Sequence, residues 1–149
     1  MREILAIAKE RNLVVSTGHV SLDESAALAE ASAEIGYRQL LFGHPFSANI
    51  GASIQAAKEI AEMGAFLELT ALHTMLPSHP LPVTDVHRAI QECGADNMII
   101  SSDVYFDWLP PHVEVLRMFT GQLRFLGVTD EELRTMLVSN PARMLGLAE

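Results

Sequence analysis

Four residues carry metal-binding chemistry at places where a short apolar run gives way to a loop. They are His19 in STGHVS, His44 in LFGHPF, Glu68 in ELTALHT and Asp103 in SSDVYF. Neutral imidazole and carboxylate oxygen are donors that Zn²⁺ and similar divalent ions accept at about 2.0–2.2 Å, and rigid strand ends hold them to that tolerance. Each residue also has a plainer reading. His19 follows Gly18, which suits close backbone approach, but it also suits a loop histidine bonded to a carbonyl. His44 lies between Gly43 and Pro45 and is either a ligand or a turn residue. Asp103 is a site acid or a helix N-cap, and the loop-like stretch YFDWLPP at 105–111 favours the site. Glu68 stands inside an apolar run, where an ionised carboxylate is costly unless paired or bound to a cation. In the same loop as Asp103, Tyr105, Phe106 and Trp108 offer a substrate wall or a plug on the rim. His73, His79, His87 and His112 read as loop or surface residues. Cys93, on an apolar helical stripe, reads as an inert thiol.

Positioning these groups requires alternating elements, and the chain supplies them. Apolar runs Leu13-Val14-Val15, Gln39 to Phe42, Ala65 to Leu69 and Asn97 to Ile100 begin at residues 13, 39, 65 and 97, hence 26, 26 and 32 apart. Such spacings suit βα units. Helical stripes run through Leu28, Ala31 and Ile35, through Val86, Ile90 and Cys93, and through Leu116, Phe119, Leu123 and Leu126. Ser21 with Glu24 and Thr129 with Glu132 have capping-box spacing. Asn140-Pro141 predicts an N-cap and an N1 proline before a last short helix, Ala142 to Leu145. The expectation is one α/β domain over 1–149 with a parallel sheet, in which function collects at the carboxyl ends of the strands.

Composition narrows the partners. With 10 basic against 19 acidic residues, net charge −9, the chain is poorly suited to nucleic acid or an anionic membrane surface. A small-molecule substrate is the expected partner. A single cysteine excludes an internal disulfide, and the helical, charged N-terminus does not resemble a signal peptide, so the expected compartment is the cytoplasm. No P-loop, GxGxxG, GxSxG or CxxC pattern occurs. A flavodoxin-like binding domain is a weaker reading, because the first strand lacks phosphate-loop glycines.

TGH, GHP, SSD and the terminal NPARMLGL resemble the second half of a metal-dependent hydrolase of the amidohydrolase superfamily, most closely an uncharacterised TIM-barrel subgroup. The resemblance implies that the chain corresponds to barrel strands five to eight, followed by extra C-terminal helices. It implies that His19 and His44 are the metal-binding histidines of strands five and six, and that Asp103 is the strand-eight acid that binds metal and handles the proton of the attacking water. No general role carries over to Glu68 on strand seven. The implied cofactor is a divalent metal, Zn²⁺ first and Mn²⁺ or Fe²⁺ as alternatives. The implied reaction is attack of metal-activated water on an ester, lactone, amide or phosphoester.

The family's strand-one HxH pair and its strand-four bridging residue have no counterpart here. A complete (β/α)₈ barrel needs roughly 250 residues, so four units amount to half of one, with two edge strands to be covered. The expectation is either pairing with a missing N-terminal half or a homo-oligomer. The competing reading is a non-catalytic half-barrel that acts as an assembly module.

Overall fold

The computed structural model describes residues 2–147; of the expected domain 1–149, Met1, Ala148 and Glu149 lie outside the described residues. Helix α1 (Arg2–Glu10) precedes four strands, β1 (Val15–Ser16), β2 (Leu40–Phe42), β3 (Phe66–Thr70) and β4 (Met98–Ser101). The strands form one parallel sheet in chain order, β1-β2-β3-β4. Each is followed by a helix: α2 (Leu22–Glu34), α3 (Ile54–Glu62), α4 (Val83–Cys93) and α5 (His112–Phe125). The expected βα alternation is therefore the architecture. Beyond it lie α6 (Asp130–Arg134), a π-helical turn Thr135–Ser139 and α7 (Asn140–Met144).

Strand alternation divides the sheet into two chemically different faces. Leu40, Phe42, Leu67, Leu69, Met98 and Ile100 are buried and share one core with Leu5 of α1, Ile60 of α3, Ile90 of α4, and Phe119 and Leu123 of α5. The alternate positions hold Ser16, Leu41, Glu68 and Ser101, which are half-buried or exposed, together with the buried Phe66, Ile99 and Thr70. One face thus carries the helices, and the other carries the polar groups that meet at the strand ends.

Local chemistry sets the helix starts. Ser21 Oγ accepts from the Glu24 amide at 3.3 Å while the Glu24 carboxylate accepts from the Ser21 amide at 2.9 Å. Thr129 and Glu132 repeat the reciprocal pair at 3.2 and 2.8 Å, so both expected capping boxes form. Bonding to Ser21 holds the Glu24 carboxyl below its ordinary pKa, and bonding to the Thr129 amide does the same for Glu132.

On α2 the expected stripe forms, with Ala31 buried and Leu28 and Ile35 half-buried against the core beside Ser25, Ala29 and Ser32. Two expectations are corrected. Leu13 is not in β1: its amide bonds Ala8 O at 2.9 Å to close α1, and the residue is 51% exposed. Asn140 is not an N-cap, because its backbone is already helical and the preceding helix continues into it through the π turn. Its side chain, 2% exposed, instead donates to Ala95 O at 2.8 Å and Met98 O at 2.6 Å. The wider π turn relieves the clash that Pro141 would impose on a regular helix. Gln39 Nε2 donates to Met144 O at 2.9 Å, and the Arg143 guanidinium lies 5.0 Å from the centre of the Phe66 ring. The last helix is thereby fastened beneath the amino ends of β2, β3 and β4.

Candidate functional site

At the carboxyl ends of adjacent strands, the loops after β1 and β2 bring His19 and His44 together, with ring centres 4.8 Å apart. Two imidazoles on one tetrahedral cation, with metal–nitrogen bonds of about 2.1 Å, place their ring centres roughly 5 Å apart. The pair therefore has the spacing of two ligands of one ion. Gly43, which precedes His44, is held by its amide bonding the buried Thr17 hydroxyl at 3.1 Å. His44 Nδ1 lies 3.1 Å from the buried Ser47 hydroxyl, which engages one ring nitrogen and leaves Nε2 as the free donor. An outer hydrogen bond of that kind fixes the orientation of metal-ligating imidazoles.

Backbone conformation marks the same places. His44 has φ 32° and Asp103 has φ 52°, both in the left-handed region. Non-glycine residues are uncommon there, and such strain clusters at functional sites. Asp103 follows β4 and is exposed, with no helix until α5, so it caps none.

Glu68 projects from the polar face of the sheet and accepts from the Ser101 hydroxyl at 2.8 Å. A side chain at Gly43 would place its Cβ 3.7 Å from the Glu68 carboxylate and 3.3 Å from Ser16 Oγ. Ser16, Gly43, Glu68 and Ser101 thus form a polar row across the four strands. The half-buried Glu68 carboxylate has a hydroxyl partner and shares a recess of about 10 Å³ with His44, Ser47, Thr70 and His73. Such a recess is about the size of one water.

His73 belongs with these residues, contrary to the loop or surface role expected for it. A single 3₁₀ turn after β3, Leu72–Thr74, brings its ring centre to 5.1 Å from that of His44. Its Nδ1 is bonded to the buried Thr70 hydroxyl. Burial, and next the neighbouring His44, push its pKa below the ordinary histidine value, while the Asp103 carboxylate pulls the other way. No sequence pattern marks it, because its place in the cluster depends on that 3₁₀ turn. His79 is exposed, His87 half-buried on α4, and His112 Nδ1 bonds the Ser102 hydroxyl at 2.7 Å. Burial raises the Cys93 thiol, as expected of an inert cysteine. Tyr105, Phe106 and Trp108 form a run of rings with centres 4.2 and 5.3 Å apart, and Tyr105 and Trp108 are exposed.

The donor set fits a cation in part. His19 and His44 would supply two coordination positions, but among the described residues no group of three or more His, Cys, Asp and Glu side chains is arranged to hold an ion. A cation at this pair would need further ligands.

A model of a family of unknown function, DUF6282, matches residues 1–68. No curated protein matches the chain in sequence. Among solved structures, a phosphotriesterase from Mycobacterium tuberculosis is similar with TM-score 0.70 and 24% identity over 97% of this chain and 49% of that one. A weak promiscuous lactonase used as a template for engineering organophosphate hydrolysis has TM-score 0.72 and 18% identity, covering 97% and 51%. An amidohydrolase from Burkholderia multivorans with bound zinc has TM-score 0.68 and 15% identity, covering 99% and 57%. The chain spans about half the length of the first two and somewhat more of the third. At these identities the likeness establishes architecture: four consecutive parallel βα units, the equivalent of half a TIM barrel.

Proposed function

We propose that this chain is the part of a metal-dependent hydrolase that corresponds to barrel strands five to eight, of an amidohydrolase subgroup, with His19 and His44 as two ligands of a catalytic divalent cation. The observation that carries this reading is the 4.8 Å separation of the two imidazoles at adjacent strand ends. When bound, zinc or a similar cation supplies a water with lowered pKa and polarises the scissile group. Ser47 orients His44, so that Nε2 is presented as a neutral donor. Asp103 stands after the fourth strand, exposed and held in a strained backbone conformation, where its carboxylate would take the proton of the attacking water and return it to the leaving group. Glu68, bonded to Ser101, would hold the polar floor of the site. Tyr105 and Trp108 would contact the apolar part of the substrate. Remaining ligands would come from a partner half or a second copy of the chain, since the described donors do not close a site by themselves.

The substrate class supported by the likenesses is an ester, lactone, amide or phosphoester. A zinc-loaded preparation assayed against one chromogenic member of each class tests the reading. The expected result is chelator-sensitive turnover that falls about 100-fold or more in Asp103→Asn, the range of general acid–base contributions. Turnover that survives both chelation and Asp103→Asn would overturn it.

A further inference from the structure

Beside the histidine cluster, the loops after β2 and β3 enclose a cleft of about 170 Å³ lined by Ala48, Asn49, His73, Leu76, Ser78 and His79. His73 lines both this cleft and the recess that holds His44 and Glu68. It is therefore a shared wall between the candidate metal ligands and an adjoining space. We propose that the cleft is a binding site for a small, neutral, oxygen-rich group such as an ester or lactone, and that His73 Nε2 hydrogen-bonds that group next to the reacting bond. The proposal rests on the metal-hydrolase reading for the identity of the reacting bond, and deepens it by assigning the substrate's seat.

Three observations support it. The first is preorganisation, which binding sites require. One wall is pinned where the Ile50 and Gly51 amides bond Ser47 O at 3.1 and 2.8 Å and the Ala52 amide bonds Pro45 O at 3.0 Å. The other is pinned where the Leu81 amide bonds His73 O at 2.8 Å, closing the 73–81 loop at its base. The His73 ring is fixed as well, because Nδ1 is taken by Thr70, and Nε2 is the nitrogen left for a ligand. The second is the lining chemistry. Asn49, His73, Ser78 and His79 contribute donors, while no Lys, Arg, Asp or Glu lines the cleft. Without a fixed charge, a phosphate dianion or a carboxylate would lose hydration with no compensating cation, whereas a neutral carbonyl or ether oxygen needs only the donors present. The third is size: the volume lies below the 300 Å³ at the low end of drug-sized pockets, which limits the occupant to a compact group. His79, on the far wall, has φ 53°, a conformation more often retained where a site requires it.

The test is made on metal-free protein, so that failure of the cleft and failure of the metal site are separate results. γ-Butyrolactone and, as the charged control, inorganic phosphate are titrated while histidine-ring and backbone-amide resonances are followed. The expected outcome is saturable shifts at Asn49, His73 and Ser78 with the lactone, with affinity at least about tenfold weaker in His73→Ala and partly restored in His73→Gln, which keeps a donor. Absence of saturable shifts at those residues, equal lactone affinity in His73→Ala, or tighter binding of phosphate than of lactone would overturn the proposal.

Discussion

Replacing Asn140 with alanine tests how the closing helix is held. Asn140 is 2% exposed, and its amide donates at 2.8 and 2.6 Å to Ala95 O and Met98 O, just before β4 and at its start. Alanine removes both donors: the buried Met98 carbonyl loses its side-chain partner, while the half-buried Ala95 carbonyl keeps only the Met98 amide. The buried carbonyl costs about 1–3 kcal/mol and the second lost bond about 0.5–1.5 kcal/mol, so the sum expected is about 2–4 kcal/mol. Against a typical domain stability of about 5–15 kcal/mol that is a large fraction. With a urea slope of about 2 kcal/mol per molar, the midpoint should fall by roughly 1–2 M. Urea titration followed by circular dichroism reads this directly. Asn140→Asp separates donation from shape: it is nearly isosteric but places oxygens against the two carbonyls, so it should be at least as destabilising at neutral pH. Its folded-state pKa would be raised, so its stability should recover as pH falls through the carboxylate range, when an O–H donor appears. A midpoint within about 0.3 M of the parent for Asn140→Ala, or a pH-independent Asn140→Asp, would refute the assignment of these bonds.

Two further outcomes are expected. Asp103→Gly removes the acid but suits φ 52°, so stability should stay within about 1 kcal/mol of the parent while chelator-sensitive turnover is lost; an unfolding midpoint shifted by more than that in either direction would contradict the strain reading. The depressed pKa of His73 means that the unfolded chain binds the proton more tightly. Metal-free protein should therefore have the full contribution of this group above pH about 6.5 and lose it as pH falls through the lower folded-state value. Urea midpoints measured across that window in the parent and in His73→Gln check this, the variant showing the flatter profile.

Much of the architecture was legible because parallel strands buried at most positions on both faces, as Phe66 and Ile99 are beside Leu67 and Met98, leave short apolar runs at regular intervals. Leu40, Leu67 and Met98 carry that signal directly. At the strand ends, glycine beside histidine marked His19 and His44, and the absence of a helical stripe after Asp103 separated it from a cap. His73 was not legible. Its approach to His44 depends on a 3₁₀ turn that folds the chain back over the strand end, and no periodicity records such a turn. Asn140 misled for a related reason: asparagine before proline has the pattern of a helix start, yet the π turn carries the helix through it and frees the amide for β4. At β1, Leu13 was assigned to the strand because a short apolar run does not reveal which member closes the preceding helix.

The most direct test of the central claim, that His19 and His44 share one cation, is zinc content after equilibrium dialysis of the parent chain and of His19→Ala and His44→Ala. Bound zinc well above about 0.1 per chain is expected in the parent, with affinity reduced at least about tenfold in each variant. Less than about 0.1 zinc per parent chain, or the same content in all three proteins, would contradict it.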